Sequence, residues 1–174
     1  MRSSGVAAVV AVALGLTGAR ALSETNPRLQ VLAPLLGKTW RGTFPGSRPV
    51  VDVSRFELAL NGQAVRNRHS INDGEYGGET LIVWEESRQS LVYYYFTTAG
   101  FYTTGTLRVE DGAFVSHELV RGAADDIAEV KATSRLLPDG RLHVKALYLK
   151  NGQWVDGRET YYVEDPEAVV RFRE

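Results

Sequence analysis

The sequence predicts an all-β chain, an up-and-down antiparallel β-barrel of about ten strands with a short N-terminal helix. Residues 81–109 carry the first sign, a run of aromatic, β-branched and threonine side chains broken only at residues 86–89 and at Ala99-Gly100, as in a three-stranded meander. Turn chemistry then recurs at hairpin spacing, at Asn61-Gly62, residues 110–112, residues 138–140 and Asn151-Gly152. After residues 26–36 no helical pattern interrupts the strands, so none of them needs a crossover. Closure would remove the sheet edges, and eight to ten strands enclose more space than inward side chains fill, which suits a ligand. The same alternation also permits a two-layer sandwich.

Residues 1–21 read as a secretory signal peptide, leaving 22–174 as a single barrel domain. Arg2 precedes an apolar run, residues 5–16, too short to span a bilayer, and Ala19 and Ala21 supply the small residues for cleavage after Ala21. With no cysteine there is neither a disulfide nor a lipid-acylation site, which fits a periplasmic or secreted protein held together by its core. Twenty Lys and Arg against twenty-one Asp and Glu give a net charge of −1, and cleavage removes Arg2 and Arg20. Without a basic run, nucleic acid is not an expected partner. No second hydrophobic segment follows, so no membrane span is expected after cleavage.

Asn26 is suited to cap the helix over 26–36, with Pro27 in its first turn and Leu29, Leu32, Ala33 and Leu36 on one face; Pro34 keeps it short. Residues 38–44 form the first strand. A two-residue turn at Asn61-Gly62 sets Leu58 opposite Val65, Phe56 opposite Asn67 and Ser54 opposite His69, with Glu57 facing Arg66 outside. Arg66 and Arg68 then pair with Glu57 and its neighbours. A loop over 138–140 aligns Leu136, Ser134, Ala132 and Val130 with Leu142 and Val144. Asn151-Gly152 groups Tyr148 with Val155, Gly157, Glu159 and Tyr161, leaving Lys145 and Arg158 outside. A three-residue loop over 110–112 turns Val115, His117 and Leu119 inward, and the Ala99-Gly100 hairpin lays Tyr94 over Gly105. Trp84 pairs with Leu91 and Ile82 with Tyr93 on an outer face that, with Tyr95, needs cover from the helix or from a second subunit, making a homodimer an expected partner state.

These registers send His69, His117 and Glu159 into the interior. A buried carboxylate needs a partner, so Glu159 is expected within reach of a histidine or of Tyr94 or Tyr148, with Asn67 on the same wall. The candidate ligand-binding set is therefore His69, His117, Glu159, Tyr94, Tyr148 and Asn67. The three histidines lack metal-ligand spacing, no serine sits in a nucleophile motif, and Gly77-Gly78 reads as a loop between strands, so neither metal nor cofactor nor catalytic nucleophile is expected. Three functions fit: a binding module for a small apolar or amphipathic molecule, an isomerase or hydrolase using an interior His/Glu pair, and a structural or partner-binding barrel filled by its own side chains.

Leu35-Leu36-Gly37-Lys38-Thr39-Trp40-Arg41-Gly42 after a short helix, with residues 78–84 and 93–96 in the meander, resembles the exported bacterial lipocalin-like (calycin) domains of unknown function over nearly the whole mature chain. The resemblance implies Trp40 as the barrel floor, although two residues separate it from Gly37 where lipocalins have one. Fatty-acid-binding proteins are similar in layout and hold a carboxylate with an Arg-x-Tyr pair on the last strand; here Arg158 is followed by Thr160. The haem-binding nitrobindins need a late histidine, and none follows His143, which disfavours haem.

Overall fold

The computed structural model describes residues 25–45, 48–122 and 126–173; the signal peptide expected at 1–21 lies outside them. A 3₁₀ helix, Pro27–Leu35, leads into ten strands: β1 Thr39–Phe44, β2 Val50–Ala59, β3 Ala64–Ile71, β4 Tyr76–Glu85, β5 Ser90–Thr97, β6 Tyr102–Glu110, β7 Ala113–Arg121, β8 Ile127–Leu136, β9 Leu142–Lys150 and β10 Gln153–Glu164. Every neighbour is antiparallel, and β1 pairs with both β2 and β10, so the sheet closes into a barrel and no sandwich forms. Among the described residues no helix is long and apolar enough to cross a membrane.

The helix is a plug. Asn26 caps it by accepting from the Arg28 amide, and the Asn26 amide is tied to the Gly62 carbonyl at 2.9 Å. A 3₁₀ helix repeats every three residues, so Leu29, Leu32 and Leu35 fall on one line and are all buried, whereas the face expected from α-helical spacing, with Ala33 and Leu36, is not the buried one. This leucine line joins Trp40, Val65, Ile82, Leu91, Tyr93, Phe114, Leu142 and Tyr162 in one core at the end of the barrel where β2 turns into β3. Trp40 thus lies at the plugged floor. The face of Ile82, Trp84, Leu91, Tyr93 and Tyr95 is the inner wall, not the outer one, and it is this plug that covers its lower part. The outer-face argument for a second subunit therefore falls away.

Several registers follow the turn chemistry: Phe56 faces Asn67, Ser54 faces His69, Trp84 faces Leu91, and Val130 faces Tyr148. Three differ by one residue. Asp111-Gly112 forms a two-residue turn with both φ values positive (48° and 73°), so Glu110 pairs with Ala113 and Glu118, not His117, faces inward. The β5–β6 connection holds five residues between Phe96 and Tyr102, which brings Tyr93, not Tyr94, opposite Gly105. On β10 the pairing with β9 slips between Asp156 and Glu159, so Glu159 pairs with Lys145 and Tyr162 with Leu142. One extra residue inverts the strand beyond it: Glu159 and Tyr161 turn outward, Arg158 and Tyr162 inward.

Four inward tyrosines lie against inward glycines of an adjacent strand. A Cβ on Gly105, Gly78, Gly157 or Gly42 would come within 2.5, 2.4, 2.8 and 2.8 Å of the rings of Tyr93, Tyr95, Tyr148 and Tyr162 respectively. Lying flat on bare backbone, the rings line the wall and leave the lumen clear. Gly77-Gly78, expected as a loop, belongs to β4 for this reason. After β10 the chain crosses to the β3–β4 turn, where the Arg171 amide donates to Ser70 Oγ (3.0 Å) and Arg171 pairs with Asp73 (3.4 Å).

Candidate functional site

Above the plug the barrel holds a cavity of about 1080 Å³. Apolar wall comes from Val120, Ile127, Val130, Val144 and Ala146, and the polar face from β3, β4, β5 and β7. Its far rim is formed at the opposite end by Arg48, Asn72, Glu75, Phe101 and Lys150.

The polar face is built around His69. Asp52, buried on β2, accepts from His69 Nδ1 at 2.9 Å and from the Tyr162 hydroxyl at 2.7 Å, so both its oxygens are engaged. An ionised carboxylate only accepts, which places the proton on Nδ1. His69 Nε2 lies 2.7 Å from the Tyr95 hydroxyl, itself 3.0 Å from that of Tyr76. The Tyr95 hydroxyl has one proton to give, to His69 Nε2 or to the Tyr76 oxygen. Burial pushes the phenols of Tyr76, Tyr95 and Tyr162 above their ordinary range, so all three remain hydrogen-bond donors at neutral pH.

A second cluster surrounds Glu118, whose carboxylate accepts from Thr103 at 2.6 Å and from Tyr93 at 3.4 Å. Burial raises its pKa, and these two hydrogen bonds oppose that only in part. Asn67 donates to Ser54 Oγ (2.7 Å), fixing its amide against the wall.

Of the six expected residues, His69, Asn67 and Tyr148 line the cavity. The other three lie outside. His117 meets Glu129 at 2.6 Å on the outer wall, and Tyr94 is 48% exposed there. Glu159 accepts from His143 Nε2 at 2.8 Å and lies 3.6 Å from Lys145, with the His143 bond holding its carboxyl below the usual range. The interior pairing of Glu159 with His69, His117 or a tyrosine therefore does not form, because the β10 slip and the tighter β6–β7 turn reverse two of the three side chains. Asp52 was within reach of the sequence: the Asn61-Gly62 register sets it on the face of Ser54, diagonal to His69. Tyr95, Tyr76 and Tyr162 carried no separate signal, and Arg158 was concealed by the slip.

Outside, Arg66 donates to Glu57 through Nε at 2.9 Å, and Arg68 and Arg55 stand nearby, as the hairpin register implied. Arg66 holds the Glu57 carboxyl low, though such half-exposed pairs add little stability. Among the described residues no group of three or more His, Asp or Glu side chains is arranged to hold a metal ion.

A plugged antiparallel barrel whose lumen has one apolar and one polar face defines the architectural class. No protein-family model and no curated protein matches the chain. Among solved structures, the crystal structure of Rv2717c from M. tuberculosis matches with a TM-score of 0.58 and 17% identity, covering 82% of this chain and 99% of that one. At that identity the likeness speaks for the barrel fold.

Proposed function

We propose that this chain is an exported, lipocalin-like binding module whose barrel encloses a small, largely apolar molecule. The observation that carries the reading is the cavity of about 1080 Å³ above the leucine plug, ample for a drug-sized ligand and lined mostly by apolar wall with a few fixed polar groups. The flat tyrosines support it, since each inward glycine removes a side chain that would otherwise leave its neighbouring ring no room against the wall. A barrel filled by its own side chains would lack such a space. The isomerase or hydrolase alternative loses its His/Glu pair: His69 is held by Asp52 and Tyr95, and Glu118 by Thr103 and Tyr93.

Native mass spectrometry of protein purified from its own periplasm tests this. A discrete added mass that disappears on denaturation is the expected result. Bare polypeptide mass in every gently handled preparation, together with no saturable uptake of apolar molecules, would refute it.

A further inference from the structure

We infer that the lumen takes an organic anion, an apolar body bearing one carboxylate-, sulfonate- or phosphate-type group, with that group seated between Arg158 and Tyr76 and with Lys150 towards the rim. This rests on the lumen reading above and specifies its ligand.

The β10 slip turns Arg158 from the outer wall into the cavity. Its guanidinium carbon lies 5.4 Å from the centre of the Phe44 ring, whose centroid is 6.2 Å from that of Tyr162, and Tyr76 lines the same cavity. Lys150, on neighbouring β9, also lines the cavity. The ion pairs of these two strands are made elsewhere, by His143 and Lys145 with Glu159, by Lys145 with Asp156 and by Lys38 with Glu164. Among the described residues, neither Arg158 nor Lys150 has a carboxylate partner.

Among the described residues, each carboxylate facing the lumen is engaged. Asp52 is held by His69 and Tyr162, Glu118 is hydrogen-bonded by Thr103 and driven towards its neutral form by burial, and Glu75 at the rim pairs with Arg48 at 2.5 Å. Among the described residues these carboxylates are matched, whereas the cations Arg158 and Lys150 are not. A guanidinium presents a fork of donors that matches a planar or tetrahedral oxyanion, and the Tyr76 hydroxyl can add a further donor. Thr160 does not join them, because its hydroxyl donates to the Thr43 carbonyl at 2.7 Å. The apolar part of the wall, from Val120, Ile127, Val130, Val144 and Ala146, suits the rest of the molecule.

Two fluorescent probes separate the claims, N-phenyl-1-naphthylamine, which is neutral, and 8-anilinonaphthalene-1-sulfonate, which adds only a sulfonate. The full chain should bind both saturably at low salt, the sulfonate at least about tenfold more tightly, the usual scale of one charge-assisted contact. Arg158→Gln should erase that preference, bringing the sulfonate affinity down to that of the neutral probe, and Arg158→Lys should retain part of it. On the unmodified protein, decanoate should displace the neutral probe at lower concentration than decanol, an arm that stands even if a variant fails to fold. Saturable binding of the neutral probe without anion preference, or a preference untouched in folded Arg158→Gln, overturns the anion site while leaving the binding module intact. Failure of both probes to bind overturns both.

Discussion

Glu118 and Asp52 are two carboxylates in one lumen wall, and their surroundings treat them differently. Asp52 receives a histidine N–H and a phenol, whereas Glu118 receives two hydroxyls and loses most of its water. A carboxyl whose folded pKa lies above its unfolded value makes the native state the better proton binder, so it lowers stability as pH rises from the ordinary glutamate range through the raised folded value. Glu118→Gln keeps an acceptor for Thr103 and removes that penalty. Urea unfolding should show the variant close to the parent near pH 4 and more stable than it at pH 7, with the gap opening between. Equal gaps at both pH values would refute the assignment. Tyr162→Phe tests the other carboxylate: one Asp52 oxygen loses its donor in a buried site, at a cost of about 1–3 kcal/mol by the same measurement.

At the scale of elements, hairpins set the faces and bulges decide where they reverse. Phe56–Asn67, Ser54–His69 and Trp84–Leu91 were legible because the lengths of their turns could be read from Asn61-Gly62 and residues 86–89. Glu118 was misplaced because Asp111-Gly112 closes a two-residue turn where a three-residue loop was expected. Glu159 was misplaced because nothing around Gly157 announces an extra residue, although the glycine is the usual companion of such a slip. From sequence the inner face of the β4–β5 hairpin reads as outer for a simpler reason: Val83, Val92 and Leu81 make the opposite face apolar too. Tyrosine-on-glycine packing gives this scale its own test. A Cβ at Gly105 would meet both the Tyr93 ring (2.5 Å) and the His117 carbonyl (2.6 Å), and that backbone atom cannot move aside. Gly105→Ala should therefore cost about 1–3 kcal/mol in urea unfolding, the range for an overpacked interior. A neutral result would mean that the sheet yields there.

For the whole molecule, the barrel is closed at one end by Leu29, Leu32 and Leu35, and the lumen opens where that plug stops. Leu32→Ala removes a fully buried side chain from the plug and should cost about 2–5 kcal/mol of unfolding free energy while far-ultraviolet circular dichroism still reports a β-barrel. N-terminal sequencing of the mature protein should return Leu22 as the first residue, and intact Met1 in a membrane fraction would contradict the proposed leader. The central claim is that the lumen is a ligand space. Titration of N-phenyl-1-naphthylamine into the unmodified protein and into Ala146→Trp and Thr80→Trp, which fill the lumen from opposite walls, measures it most directly. One saturable site in the parent, lost in both folded variants, is the predicted result; no saturable site in the parent, or unchanged binding in both filled barrels, would contradict it.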